Sequence, residues 1–250
     1  MKTDLLNFTL HLADTHLILG QRLGEWCGHN FVLEQDIAMS NIALDLFGQS
    51  RSLYQYAAEL QGEGKTEDDL AFLRGERQYK NLLLVEQKNG DFAHTLARQF
   101  FYDVFHLLQN EELLKSNDER LKAIAEKSVK EVRYHLTWSS EWVIRLGDGT
   151  TESHERMQKA VDSLWMWTGE MLTNAPYELP LIKAGVAPDN TKFKAAWLAK
   201  VQEIFAEATL NVPMTDSQQT GGKSGIHSEN LGFILAEMQI LQRTYPGLSW

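Results

Sequence analysis

Two pairs of carboxylate and histidine residues in this sequence have a type and spacing that could bind a metal. Asp103 and His106 are three residues apart, and Glu131 and His135 are four apart, so each pair can share one side of a helix. Val132 stands three residues before His135, where a di-iron helical bundle uses a carboxylate. The sequence therefore predicts half of a di-iron site, in which the histidine is retained and its carboxylate is missing.

The helix predicted from 118 to 146 must position the second pair. Apolar and small residues recur along it and form one stripe through Val132 at about 100° per residue. His135 lies within about 40° of the centre of this stripe, and Glu131 lies off its edge at about 80°. A lone histidine on an apolar face is more often a core residue hydrogen-bonded to a carboxylate than a metal ligand. Both roles of His135, core residue and metal ligand, stay open.

The helix predicted from 91 to 114, with Asp91 as its N-cap, must position the first pair. Asp103 lies about 60° from the centre of the apolar stripe of this helix, and His106 lies about 120° from it. We therefore expect His106 to point away from the core and Asp103 to be at least half buried beside a polar partner.

The rest of the chain also has helical periodicity, without strand-like alternation or internal repeats. The predicted helices are 4–27, 33–60, 68–83, 91–114, 118–146, 152–172, 190–210 and 228–243, and the segment 176–188 is a candidate inserted loop. The sequence predicts an all-α fold, a single domain over residues 1–250 built as a bundle of long antiparallel helices.

Composition excludes several functional classes. The chain has 250 residues and a formal net charge of −10, which argues against nucleic acid or an anionic membrane as a partner. Its one cysteine, Cys27, excludes an internal disulfide and a thiolate cluster. No apolar run is long enough for a membrane helix or a signal peptide, so we expect a soluble cytoplasmic protein.

Two basic features have simpler explanations than ligand binding. Arg74, Arg77 and Lys80 recur every three residues, which usually marks a solvated helix face. The run 219–224 resembles a phosphate loop, but Ser217 stands where the motif needs a glycine and no strand precedes it. A nucleotide-hydrolysing site is thus excluded, while a flexible loop whose lysine meets a phosphate or a partner stays open.

Five runs of the sequence resemble the C-subunit family of bacterial phenylacetyl-CoA epoxidases. They are 21–29, 81–87, 130–135, 221–229 and 235–239, and the resemblance extends over nearly the whole chain. It implies a ferritin-like fold and a non-catalytic companion of a homologous di-iron catalytic subunit. With further subunits and a reductase, that complex would convert phenylacetyl-CoA to its ring 1,2-epoxide with oxygen and electrons from NADPH.

The resemblance also implies where a degenerate di-iron site would lie. The six positions that correspond to metal ligands of the catalytic subunit are Glu25, Phe47, Ser50, Asp103, Val132 and His135. Only three of them, Glu25, Asp103 and His135, keep a ligand type, and three ligands cannot hold two irons at their usual coordination. We therefore expect no metal, no catalytic residue and no cofactor in this chain. Arg22 is one candidate to neutralise the charge of Glu25.

Contacts with substrate and partner are further expectations. The local candidates for binding the coenzyme A phosphates are Arg77, Gln78, Tyr79, Lys80 and Asn81. The aromatic-rich and aliphatic-rich stretches 164–167 and 231–240 are candidates for the surface that meets the catalytic subunit.

Two rival functions stay open at this level. One is a di-iron or mononuclear oxidase that uses Asp103, His106, Glu131 and His135, and the other is a helical adaptor without a link to oxygenation. Iron content would separate the first rival from a structural subunit, and co-purification would separate the second.

Overall fold

The computed structural model describes residues 1–215 and 217–248, and within these ranges it contains helices and no β-strand. The α-helices are α1 (Lys2–Gly24), α2 (Leu33–Gln61), α3 (Glu67–Phe72), α4 (Phe92–Leu113), α5 (Glu119–Gly147), α6 (Thr151–Leu164), α7 (Glu178–Lys183), α8 (Lys194–Glu207), α9 (Glu229–Met238) and α10 (Ile240–Thr244). Short 3₁₀ helices cover Glu76–Gln78, Trp165–Trp167, Gly169–Leu172, Asn190–Phe193 and Gly222–Ser224. The all-α prediction is confirmed for the described residues.

The chain divides into two compact units. The first unit comprises residues 1–86, 175–181 and 221–250, and the second comprises residues 87–174 and 182–220. In the first, α1 and α2 form a helical hairpin that α3 joins; in the second, α4 packs against α5, α6 and α8. A single domain over residues 1–250 stays a prediction.

Helix α1 is buried around its whole circumference in the middle of its length. Every residue from Phe8 to Gly20 is buried, including the polar His11 and Asp14, and Arg22 is buried as well. Polar side chains in such a helix must find internal partners, because an unpaired buried polar group is costly. The first unit therefore holds an extensive buried polar network.

The helix predicted from 68 to 83 is wrong beyond its first turns. Helix α3 ends at Phe72, and after one 3₁₀ turn the chain runs without regular structure through residues 79–86. Side chains of α1 accept hydrogen bonds from the backbone amides of this segment. Lys80 N donates to Asp14 Oδ2 at 2.8 Å, and Leu82 N donates to Thr15 Oγ1 at 3.3 Å. These distant partners replace the hydrogen bonds that a helix would have made.

In the second unit, α4 is covered on several sides, and this overturns one prediction. His106 is fully buried rather than directed away from the core. A helical wheel assumes one apolar face, but α4 is packed by α5, α6 and α8, so nearly every side chain of its first four turns is inside. The predicted N-cap is confirmed, since Asp91 accepts a hydrogen bond from His94 N at 2.9 Å.

Helix α5 follows its predicted pattern closely. Its stripe residues Val132, Ser139 and Val143 are buried, and its N-cap Asp118 accepts hydrogen bonds from the amides of the first turn.

Two other segments differ from the prediction. Helix α6 ends at Leu164 rather than at residue 172, and the segment 176–188, predicted as a loop, contains α7. Within the described residues, no helix is long and apolar enough to span a membrane.

Candidate functional site

We name the six positions of the degenerate di-iron site the pseudo-site; of the three positions in the first unit, only Glu25 is a carboxylate. Glu25 is exposed beyond the end of α1, where it pairs with Arg22 at 2.8 Å, as its spacing suggested. Phe47 is half buried, and its ring lies so close to Gly20 that an added Cβ would be 2.7 Å from it. Ser50 Oγ donates to the carbonyl of Ala13 at 2.9 Å. A phenyl ring and an engaged hydroxyl thus stand where the resemblance places two metal ligands.

The pseudo-site positions of the second unit contain one carboxylate with both oxygens engaged. Asp103 Oδ1 accepts from Gln99 Nε2 at 2.7 Å, and Oδ2 accepts from Ser139 Oγ at 2.7 Å. Burial raises the pKa of Asp103 to about 7, although the neighbouring His135 and the two hydrogen bonds oppose this. Val132 is buried and contributes only apolar volume. Asp103 is therefore satisfied by the protein itself.

The donor set required by an oxidase does not assemble. His106 is buried with its ring 4.9 Å from the ring of Tyr102, and Glu131 is half buried on α5. Among residues 1–215 and 217–248, no three His, Cys, Asp or Glu side chains converge in a way that could hold a metal ion. The residues present do not fit a di-iron centre, for which a helical bundle supplies four carboxylates and two histidines.

The first unit contains a buried ion pair that includes Arg74, one of the three basic residues predicted to form a solvated helix face. Arg74 is only 8% exposed, and its guanidinium binds the fully buried Asp14 through both oxygens. Asp14 also accepts from Tyr54 OH at 2.5 Å and from Lys80 N at 2.8 Å, and the Arg74 guanidinium stacks over the Tyr79 ring at 4.3 Å. Arg74 is thus part of the core and is not a solvated helix face.

The five residues predicted to contact coenzyme A differ in their accessibility. Tyr79 and Asn81 are fully buried, so neither side chain is accessible to a ligand in this structure. Arg77 and Gln78 are exposed. Lys80 is half buried, with its ammonium group 5.4 Å from the centre of the Tyr177 ring. Only three of the five candidates can meet a ligand.

A second buried network centres on Glu86, a residue that no local sequence pattern singles out. Its Oε2 accepts from Asn81 Nδ2 at 2.9 Å and lies 2.9 Å from His227 Nδ1, while its Oε1 accepts from Ser228 N at 2.6 Å. His227 Nε2 donates to the Tyr79 carbonyl at 3.0 Å. Because each ring nitrogen of His227 faces an acceptor, the arrangement suits an imidazolium.

The pKa of His227 agrees with this geometry. Burial alone would lower it, but the hydrogen bond and charge of Glu86 together with the Tyr79 carbonyl outweigh burial and raise the pKa above its usual value. The contribution of this charged histidine to stability is therefore complete below the unfolded-state pKa of about 6.5 and is lost as the pH rises through the higher folded-state pKa.

We expect His227→Gln to lower the free energy of unfolding by about 1–3 kcal/mol at pH 6. The side-chain amide of glutamine is neutral, so it cannot provide the positively charged donors that both acceptors face. The difference from the wild type should shrink as the pH rises, which urea unfolding at pH 6, 7.5 and 9 would measure. His29→Gln is the control, because His29 is exposed. An equal loss at all three pH values would contradict the charged state of His227.

The segment that resembles a phosphate loop is a structural element of the first unit. Lys223 is 3% exposed, and its Nζ lies 3.1 and 3.3 Å from the two carboxylate oxygens of Glu178. Gly225 adopts a left-handed backbone (φ +79°), and an added Cβ there would be 2.3 Å from the Arg77 carbonyl oxygen. The alternative of a flexible loop with a free lysine is therefore wrong. Asp216 lies outside the described residues.

Comparisons with known proteins find similarity along the whole chain. A family model described as "Phenylacetic acid catabolic protein" matches residues 1–250. The C subunit of the 1,2-phenylacetyl-CoA epoxidase of Escherichia coli (strain K12) is 52% identical over 247 residues, which cover 99% of this chain and 99% of that protein. Both matches include the two units, so neither unit is an addition to the shared architecture.

Proposed function

Because this chain belongs to the phenylacetic acid catabolic protein family, we propose that it is the structural C subunit of a phenylacetyl-CoA 1,2-epoxidase. The identity of 52% to the E. coli protein, over 99% of both chains, carries this proposal. In it, the chain has a ferritin-like fold, works in the cytoplasm in aerobic phenylacetate catabolism, and supports a homologous di-iron catalytic subunit. Electrons from NADPH reach that subunit through a separate reductase.

The side chains at the pseudo-site support a non-catalytic role. Phe47 and Val132 bring apolar side chains to positions that correspond to ligands, and neither can donate an oxygen or a nitrogen to an ion. Asp103 is already bonded by an amide and a hydroxyl. We propose that the di-iron centre of the complex belongs to the partner and that this chain binds no metal.

Iron analysis tests this part of the proposal. After anaerobic loading with ferrous iron and desalting, the purified chain should contain well under one iron per chain, because its donor set is incomplete. His135→Ala should not change this residual content, which elemental analysis would measure. About two irons per chain, lost in the His135→Ala variant, would instead support the rival oxidase.

The surface that meets the partner needs revision from the sequence expectation. Within the stretch 164–167, Leu164 and Trp165 are buried core residues, so they cannot form an interface. The stretch 231–240 still presents Phe233 and Ile240 to solvent, and this candidate stays a prediction.

A second exposed apolar face lies on α2. Leu33, Ile37 and Leu44 fall within about 40° of each other on the helical wheel, and all three are more than half exposed. Exposed Phe31 and Val32 precede them, so we name residues 31–33, 37 and 44 the α2 face. Glu34 and Asp36 lie in the first turn of α2 beside this face. We propose that the α2 face docks the catalytic subunit, through an apolar patch of that subunit with basic residues at its edge.

Coenzyme A contact remains a proposal for three residues. Arg77 and Gln78 are exposed, and Lys80 keeps part of its side chain accessible, so this chain could offer one cation and a half-buried second one to the phosphates. The KM of the assembled complex for phenylacetyl-CoA after charge reversal at Arg77 measures this contribution.

A further inference from the structure

We propose that the loop before α4 modifies itself, by converting Asn89 to aspartate and isoaspartate through attack of the Gly90 nitrogen. Asn89 is the only asparagine of the sequence that a glycine follows. It is half buried in the second unit, and Gly90 beside it is exposed. The proposal rests on the groups around these two residues and does not depend on the role of the chain in an epoxidase.

The reaction needs no cofactor, oxidant or reductant. The Gly90 nitrogen loses its proton and forms a bond to Cγ of the Asn89 side chain. The bond from Cγ to Nδ2 then breaks, and Nδ2 takes up a proton and leaves as ammonia. The product is a five-membered imide, which water opens at either carbonyl to give aspartate or isoaspartate. A folded chain promotes this reaction if it stabilises the negative charge that forms first on the amide nitrogen and then on Oδ1.

A buried guanidinium contacts the oxygen on which the second charge develops. Arg98 is fully buried, and one of its terminal nitrogens donates to Asn89 Oδ1 at 2.7 Å. The other terminal nitrogen donates to the Gln87 carbonyl at 2.5 Å, which fixes the orientation of the guanidinium. When the Gly90 nitrogen attacks, Oδ1 changes from a neutral amide oxygen to an oxyanion, which a charged donor binds more strongly. Arg98 is therefore placed to stabilise the transition state.

A second donor acts on the peptide group that supplies the nucleophile. Thr95 is buried, and its Oγ1 donates to the backbone carbonyl of Asn89 at 2.8 Å. This carbonyl and the Gly90 nitrogen share one resonant peptide group, so a charge on the nitrogen spreads onto the carbonyl oxygen. The hydrogen bond from Thr95 therefore favours loss of the Gly90 proton. Within the part of the chain that the structure describes, the Gly90 amide donates to no other backbone group.

The backbone at position 90 requires glycine and brings a base close to it. Gly90 has a left-handed φ of +59°, and an added Cβ would lie 3.1 Å from His94 Cβ and 3.6 Å from His94 Nδ1. Burial and then the charge of Arg98 lower the pKa of His94 below its usual value, although Asp91 and the Lys88 carbonyl oppose them. A neutral imidazole next to Gly90 is suited to take up the amide proton through one water.

The two products change the loop in different ways. An aspartate at position 89 turns the contact with Arg98 into a charge-assisted hydrogen bond, which is stronger than the amide contact. Isoaspartate instead runs the main chain through Cγ, which lengthens it by one carbon just before Asp91, the N-cap of α4. Both products add one negative charge to the chain, so isoelectric focusing separates them from the unmodified form.

Timed incubation of the full-length chain tests the proposal. In oxygen-18 water at pH 7.4 and 37 °C, Asn89 should incorporate oxygen-18 and release ammonia, which mass spectrometry of the digested chain would measure. Exposed Asn117, which Asp118 follows, should stay unmodified. An isoaspartate methyltransferase with a labelled methyl donor detects the isoaspartyl product. An Asn89 that stays unmodified in the folded chain, while it reacts in the chain unfolded by urea, would overturn the proposal.

Variants separate a promoting role of these donors from simple restraint of the loop. Thr95→Val keeps the shape of the side chain and should slow the modification of Asn89 about fivefold, the effect of one hydrogen bond. Arg98→Met should slow it at least about tenfold, because a charged donor is lost. Ser153→Ala, which removes a comparable hydroxyl bonded to the Thr150 carbonyl, should leave the rate unchanged.

The direction of the change decides between the two explanations. Donors that only restrained Asn89 would protect it, so their removal would speed the modification. A faster or unchanged rate in Thr95→Val would therefore overturn the proposal, and this variant decides the matter even if circular dichroism shows that Arg98→Met does not fold. None of these outcomes bears on whether the chain completes an epoxidase.

Discussion

Replacing Arg74 by leucine is expected to lower the free energy of unfolding by about 3–5 kcal/mol. The substitution leaves the carboxylate of Asp14 fully buried without its guanidinium partner, in a place where Tyr54 and the Lys80 amide cannot neutralise its charge. Stacking of Arg74 over the Tyr79 ring is lost as well. Urea unfolding at pH 7 followed by circular dichroism measures the change.

Arg51→Leu is the matched control for this prediction. Arg51 pairs with Glu67 at 2.8 Å, but its side chain is 69% exposed, so the loss should be at most about 1 kcal/mol. Adding Asp14→Leu to Arg74→Leu should recover part of the stability, because the unpaired charge is then removed. Equal effects of Arg74→Leu and Arg51→Leu would contradict the burial of the Asp14–Arg74 pair.

Placing glutamate at Ile37 and Leu44 together is expected to weaken the complex with the catalytic subunit at least 100-fold. Burial of each aliphatic side chain is worth about 1.5–3 kcal/mol, and two buried carboxylates would add a penalty. Every 1.4 kcal/mol changes a dissociation constant tenfold. Co-expression, affinity purification through the catalytic subunit, and light scattering of the product measure the loss of assembly.

Two further variants make the assignment of the α2 face specific. Phe233→Glu with Ile240→Glu tests the rival surface on α9 and α10, and the complex should survive it. Arg77→Glu should also leave the complex assembled, but it should raise the KM for phenylacetyl-CoA if Arg77 contacts coenzyme A. The α2 face is wrong as the docking surface if the α9 and α10 variant alone prevents assembly.

The sequence predicts those helices best that have one face in solvent. The stripe of α5 was predicted correctly because its opposite face is exposed, so its apolar residues recur with a clear helical period. His106 was placed wrongly because α4 is covered on several sides, and a wheel with one apolar face does not describe such a helix.

Predictions from local spacing fail where distant side chains determine the backbone. The segment after α3 leaves the helix because Asp14 and Thr15, more than sixty residues earlier, accept its backbone hydrogen bonds. Glu86 and His227 likewise meet across 141 residues, and no spacing rule links them. Both lie in runs that resemble the C-subunit family, so the resemblance was the one signal that could have indicated them. Phe47 and Ser50 were also identified through the resemblance, since nothing in their local pattern suggests a former ligand position.

Exchange of subunits tests the central claim most directly. This chain is expressed in an E. coli strain that lacks only the C subunit of its phenylacetyl-CoA epoxidase, and the purified complex is assayed for epoxidation of phenylacetyl-CoA with NADPH and oxygen. Given 52% identity over 99% of both chains, we expect the hybrid complex to form and to recover at least a tenth of the native activity. A soluble, folded chain that neither joins the complex nor restores any epoxidation would contradict the proposed function.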